Sequence, residues 1–238
     1  GKESAEKIAA SFLKERPVWV RCNLNLASKE EILAALKKQQ VSAEQVEGFD
    51  SMLALSEYDH MESLDAFQKG WIQVQDISSA LVGELAAPEK GSYIIDVCAA
   101  PGGKSLHLAD KMEGTGCVEA RDLTYQKVAL IEENASRMGA LNIKAVQWDA
   151  TEFDPESENK ADLVIADLPC SGLGIIGRKP DIKYHTTKEN LRELSKLQKE
   201  ILSVVWKYVK PGGRLIYSTC TINKEENAEN ARWITENL

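Results

Sequence analysis

The sequence predicts an α/β protein whose larger part is a doubly wound, mostly parallel sheet. Three observations carry this. From Ser92 onward short apolar runs alternate with helical stretches, the order that builds a parallel sheet covered on both faces. A glycine-rich turn, Asp96-Val97-Cys98-Ala99-Ala100-Pro101-Gly102-Gly103-Lys104, follows the first of those runs. The polar motifs all fall at carboxyl ends of predicted strands, where open sheets of this kind hold ligands.

Residues 5–15 read as the end of a helix whose partners lie upstream, which assigns 1–16 to a preceding helical region. Val18-Trp19-Val20-Arg21-Cys22-Asn23-Leu24 alternates like a short strand. Ser28-Lys29-Glu30-Glu31 is a capping box, the serine and the second glutamate satisfying each other's free amides. It opens a helix with Ile32, Leu33 and Leu36 on one face. With strands at 52–55 and 71–74, residues 17–76 form a small α/β subdomain. A helix at 77–85 leads into the main domain, 77–238. Its strands are expected at 93–97, 117–121, 143–148, 163–166 and 214–217. The clearest helix spans 189–209, with Leu191, Leu194, Leu197, Ile201 and Val205 at helical spacing, and Pro211-Gly212-Gly213 stops it. A last helix is expected over 224–237, capped by Asn223-Lys224-Glu225-Glu226.

The bulk numbers bound the function. The chain has 238 residues, 43% hydrophobic and 28% charged, ordinary for a soluble globular protein. No apolar run approaches the roughly 18 residues of a membrane span. No secretory signal is visible, and the chain opens on Gly1 rather than methionine, so a trimmed piece is expected. Five cysteines without a C-x-x-C pair give no zinc framework and no even disulfide set; reduced thiols in the cytoplasm fit, with no metal. The net charge of −8 argues mildly against nucleic acid. Residues 178–199 run the other way, with seven basic residues against three acidic ones. That run reads first as a solvated helix face, and its place beside a candidate site keeps phosphate contact in view.

Three readings compete for the glycine turn. A dinucleotide fingerprint needs G-x-G-x-x-G, which Ala100-Pro101-Gly102-Gly103-Lys104 does not supply. A P-loop ATPase needs G-x-x-x-x-G-K-[ST]; Gly103-Lys104-Ser105 matches its end, but Cys98 stands at the first glycine position. The third reading is S-adenosylmethionine. Asp122 follows the second strand, placed for ribose hydroxyls, and Asp149 follows the third, placed for the adenine edge. Asp167, after the fourth, would face the methionine end. Either Asp122 or Asp149 alone reads as a helix N-cap. Carboxylates at matching strand ends instead suit a sulfonium cation and oppose a triphosphate.

Two further motifs carry cysteines: Asp167-Leu168-Pro169-Cys170-Ser171-Gly172 and Ser218-Thr219-Cys220-Thr221. With the glycine turn, with Arg178-Lys179-Pro180-Asp181-Ile182-Lys183-Tyr184 and with Glu225-Glu226-Asn227, they make nearly the whole chain resemble one family. This is the Sun/Fmu (RsmB-type) family of RNA cytosine-5 methyltransferases, in its bacterial 16S ribosomal RNA branch. Leu168 replaces the family's usual alanine, an apolar change. The resemblance implies a Rossmann-like class I methyltransferase sheet, S-adenosylmethionine as cofactor and RNA, ribosomal RNA in particular, as partner. A monomer is expected.

Carbon 5 of cytosine is a weak nucleophile, and thiolate attack at carbon 6 turns the ring into an enamine whose carbon 5 can take a methyl group. By resemblance Cys220 is that nucleophile and Cys170 assists release of the product. Asp167 would hold the cytosine edge, and Lys104 would orient the substrate or help keep a thiol ionised. Cys98, Ala99, Ala100, Pro101, Gly102, Gly103 and Lys104 would hold the cofactor with Asp122, Asp149 and Asp167. Tyr184, His185 and the 178–199 run are candidates for base stacking and phosphate contact. Cys22 and Cys117 read as inert small hydrophobes. The family also implies two more strands after the last helix and an upstream helical domain, so a fragment cut at both ends is expected, with an open edge after strand five. A non-catalytic RNA-binding or ribosome-assembly factor on the same fold is the alternative.

Overall fold

The computed structural model describes residues 2–13 and 17–238. Helix α1 (Lys2–Phe12) covers most of the helix expected over 5–15. Residues 14–16, where the end of that helix and of the region 1–16 was expected, lie outside the described residues.

The first sheet is built from β1 (Val18–Cys22), β2 (Ser42–Gln45), β3 (Met52–Ser56) and β4 (Ile72–Val74). All pairings are antiparallel, in the order β2-β3-β1-β4. Helix α2 (Lys29–Lys38) precedes β2, and the short α3 (Asp65–Gln68) precedes β4. The capping box forms: Ser28 N donates to Glu31 Oε2 at 2.8 Å and Glu31 N donates to Ser28 Oγ at 3.3 Å. It sets Ile32 and Leu36 into a core with Val20, Leu53, Leu55 and Ile72. Strand β2 was not expected, because Ser42-Ala43-Glu44-Gln45 has no apolar alternation. Its backbone pairing with β3 makes it a strand.

After α4 (Ile77–Ala86) the chain alternates β5 (Tyr93–Asp96), α5 (Gly103–Lys111), β6 (Cys117–Asp122), α6 (Tyr125–Arg137), β7 (Ile143–Gln147) and β8 (Ala161–Asp167). The short α7 (Ile182–His185), α8 (Lys188–Val205), β9 (Val209–Ser218) and α9 (Ala228–Asn237) complete it. The five strands are all parallel, in the order β7-β6-β5-β8-β9. Alternate residues serve opposite faces, as the pleat requires. Ile95, Val164 and Ala166 pack on Ile201, Leu202 and Val205 of α8. Ile94, Leu163 and Ile165 pack on Ala86, Leu108 and Met112.

The largest differences from the sequence reading in this part of the chain fall between α8 and β9 and at the start of α9. Pro211-Gly212-Gly213 lies inside β9 as a bulge: Val209 pairs with Ala161 and Arg214 with Leu163, so the residues between loop out. Helix α9 starts at Ala228 because Asn223, Glu226 and Asn227 spend their side chains on neighbouring loops, detailed below.

The sheets are joined by two cations, one buried and one half-buried. Arg21 on β1, 1% exposed, donates from Nε to Gln75 Oε1 at 3.0 Å and pairs with Asp110 of α5. Arg137 of α6 donates to the Phe67 carbonyl at 2.9 Å and lies 4.0 Å from that ring's centroid. Gly70, at φ +69°, leaves no room for a Cβ against the Arg137 carbonyl.

Candidate active site

A cavity of about 670 Å³ opens at the carboxyl ends of β5, β8 and β9. Asp96, 98–101, Gly103 and Lys104 line one side, and Asp167 with 218–221 line a second. Residues 73–76, Ser78, Ser79 and Val82, running from β4 into α4, form the opposite wall. Gly174, Ile175, Arg178 and Lys179 complete the rim.

Asp167 and Ser218 are register partners at the ends of adjacent parallel strands, so the two cysteine loops leave the sheet side by side. Cys170 Sγ lies 3.2 Å from Cys220 Sγ, and Cys220 N donates to Cys170 Sγ at 3.3 Å. The loops are tied to each other and to the start of α9. Ser171 Oγ and Thr221 Oγ1 are 2.7 Å apart. Glu226, with no exposed surface, accepts from Ser171 N at 2.9 Å, Gln198 Nε2 at 3.1 Å and Asn223 Nδ2 at 3.1 Å. Asn227 donates to the Thr221 carbonyl at 2.7 Å and accepts from Thr219 Oγ1 at 2.6 Å. Gly174 N donates to the Cys220 carbonyl at 3.1 Å, so close that a Cβ on Gly174 would stand 2.8 Å from that oxygen.

The hydrogen bond from Cys170 brings the exposed Cys220 thiol down to about 7, against burial, with a smaller contribution from Lys104. The same hydrogen bond, then burial, pushes Cys170 up. One sulphur of the pair therefore ionises at the other's expense. Lys104 Nζ sits 2.6 Å from Asp167 Oδ2, and Ser218 Oγ donates to Asp167 Oδ1 at 2.6 Å.

On the glycine-turn side, burial raises Asp96 to about 7 and Cys98 to about 12. Asp96 Oδ2 accepts from Ser105 Oγ at 2.7 Å, while Oδ1 is buried without a partner. Gly102, at φ +103°, caps α5. Asp122 is buried beneath the turn: Oδ2 accepts from Ala100 N at 2.9 Å, and Oδ1 accepts from Leu123 N at 2.8 Å and meets Lys127 Nζ at 2.9 Å. Asp149 is exposed and accepts from Thr151 N at 2.9 Å and Thr151 Oγ1 at 2.7 Å. Both stand at strand ends, yet neither lines the cavity, and neither is a helix N-cap; Thr124 caps α6.

The structure thus brings together Asp96, Cys98, Lys104, Asp167, Cys170 and Cys220. Sequence reasoning missed the far wall: Gln73, Gln75, Asp76, Ser78 and Ser79. Its signal was a polar cluster directly between a strand and a helix. From the rim Arg178 crosses to that wall, pairing with Asp76 at 2.5 Å and lying 4.9 Å from the Trp19 ring centroid. Tyr184 and His185 are exposed, and Lys183 lies over the Tyr184 ring. Among the described residues no cluster of three or more metal-ligating side chains is present, and no helix is long and apolar enough to cross a membrane.

This strand order, with a glycine turn after the central strand and the cavity at the strand ends, defines the Rossmann-like methyltransferase class. The methyltransferase homolog protein from Pyrococcus horikoshii superposes with a TM-score of 0.85 at 28% identity, over 99% of this chain and 75% of that one. The crystal structure of PH0851 superposes with a TM-score of 0.93 at 33% identity, over 98% of this chain and 53% of that one. The chain belongs to the 16S rRNA methyltransferase RsmB/F family, whose profile matches residues 84–236. The ribosomal RNA small subunit methyltransferase B of Proteus mirabilis is 36% identical over 227 residues, 94% of this chain and 53% of that protein. The chain spans about half the length of the curated relatives it matches.

Proposed function

We propose that this chain carries the catalytic part of an S-adenosylmethionine-dependent enzyme that methylates carbon 5 of a cytosine in RNA, 16S ribosomal RNA being the substrate. The observation that carries this reading is the pair of thiols 3.2 Å apart beside the glycine-turn cavity. The reading divides the chain near residue 76, with the small sheet in 17–76 and the cofactor-binding part in 77–238. It takes the enzyme as a cytoplasmic monomer without a resident metal.

The residues present fit S-adenosylmethionine. Asp96, which lines the cavity, has a buried oxygen without a hydrogen-bond partner, and a Cβ on Gly103 would meet open space. Residues 98–104 would hold the cofactor, with Asp122 and Asp149, at the neighbouring strand ends behind the cavity lining, assigned to its ribose and adenine. When bound it supplies an electrophilic methyl group.

The chain's own groups supply the rest. Cys220, the exposed and more acidic thiol, attacks carbon 6 of the base as thiolate. Asp167, held by Lys104 and Ser218, positions the cytosine edge and moves a proton toward ring nitrogen 3. Cys170 assists loss of the carbon 5 proton and departure of Cys220. A target base must leave its stack to reach these sulphurs.

Methyl transfer to cytosine-containing RNA tests this. Cys220→Ala abolishes transfer, and Cys170→Ala accumulates a protein–RNA adduct stable on a denaturing gel. Normal turnover by Cys220→Ala overturns the assignment. Calorimetry that finds ATP bound and S-adenosylmethionine ignored overturns the cofactor.

A further inference from the structure

Two thiols in van der Waals contact, one of them exposed, invite a chemistry that methyl transfer does not use. We propose that Cys170 and Cys220 form a reversible oxidative modification site, in which a hydroperoxide oxidises Cys220 and Cys170 closes a disulfide across the two loops. The sulphurs are 3.2 Å apart, so an approach of about 1 Å brings them to the S–S bond length of about 2.05 Å. The Cys170 loop carries Gly172, at φ +68°, two residues beyond its sulphur.

Selectivity follows from the other cysteines. Burial raises Cys22 to about 11 and Cys98 to about 12, and raises Cys117 as well. Among the described residues none of the three has a sulphur neighbour within hydrogen-bond reach. Cys220 combines exposure, thiolate character and an adjacent resolving thiol, the features that distinguish redox-sensitive cysteines from inert ones.

The steps balance. The Cys220 thiolate attacks one peroxide oxygen and the O–O bond breaks. The departing alkoxide or hydroxide takes a proton from solvent, leaving a sulfenic acid. Cys170 then attacks that sulphur and the S–O bond breaks. The leaving hydroxide takes up the Cys170 proton and departs as water. The two thiols lose two electrons in total, and the hydroperoxide gains them. Capture by Cys170 stops Cys220 from advancing to the irreversible sulfinic and sulfonic acids. A transient disulfide of this kind is compatible with a reducing compartment.

The test treats the chain with excess hydrogen peroxide, enough for the two equivalents that a sulfinic acid consumes, blocks remaining thiols with iodoacetamide and reads intact and peptide masses. The expected product is two hydrogens lighter, links the Cys170 and Cys220 peptides, and returns to two alkylatable thiols with dithiothreitol. In Cys170→Ala, Cys220 goes on to sulfinic acid that dithiothreitol does not reverse. Wild-type chain that accumulates sulfinic acid at Cys220 while Cys170 stays alkylatable overturns the proposal, as does a disulfide linking two copies. The readout is a mass, so it stands or falls apart from the RNA methylation assay.

Discussion

Lys104 Nζ lies 2.6 Å from Asp167 Oδ2, joining the first turn of α5 to the end of β8 along the cavity wall. Their side chains are 15% and 31% exposed, so neither charge is fully solvated once its partner is gone. On the proposed function, Lys104→Met and Asp167→Asn are each expected to slow methyl transfer by about 10²–10⁴-fold, the range for a displaced acid–base group. The double variant should lose little more than the worse single one, because the two act as a unit. Single-turnover rates with saturating RNA check both statements.

The Cys220 thiol, brought down to about 7 chiefly by the hydrogen bond from Cys170, sets a pH dependence. A lowered value means that thiolate is present above about pH 7 and lost as the pH falls through it. Alkylation of Cys220 should therefore rise through about pH 7. In Cys170→Ala the midpoint moves up toward the ordinary thiol value of about 8.5. Iodoacetamide rates read by mass at Cys220 measure the shift; an unchanged midpoint contradicts it.

Gly174→Ala places a Cβ 2.8 Å from the Cys220 carbonyl, a main-chain atom that moves only with its loop. The expected result is a loss of about 1–3 kcal/mol in urea unfolding. Methyl transfer falls with it, since the Cys220 loop is pushed off the Cys170 loop. Gly174 has no left-handed φ, so its loss is steric; Gly48→Ala, at φ +80° where a Cβ meets open space, reports the separate cost of backbone conformation.

Glu226 holds three donors from three segments and is wholly buried. Glu226→Ala strands Ser171 N and Asn223 Nδ2, while Gln198 Nε2 keeps the Pro169 carbonyl, and should cost about 3 kcal/mol. Glu226→Gln keeps an acceptor oxygen and should cost less. Urea midpoints rank the two; equal losses would mean that packing rather than hydrogen bonding sets the cost.

Much of this fold was legible because its strands are buried on both faces. Tyr93-Ile94-Ile95 and Leu163-Val164-Ile165-Ala166 announce themselves as apolar runs, and each ends in an aspartate at a ligand-facing tip. The polar β2 was not legible, because pairing with β3 alone makes it a strand. Nor was the fate of Asp122: spacing places it at a strand end, but only coordinates show its oxygens engaged with Ala100 N, Leu123 N and Lys127. The late start of α9 has the same origin. Glu226 and Asn227 look like helix residues until the loops they secure are in place.

One wall of the cavity, 73–76, runs out of the last strand of the antiparallel sheet, and buried Arg21 bolts that wall to α5 through Gln75 and Asp110. Either sheet with its own connections would hold half a pocket. Whatever occupies the space touches both, so by linkage its binding energy also resists their separation. Saturating ligand should therefore shield the connection around residue 76 from proteolytic nicking, well away from any sulphur.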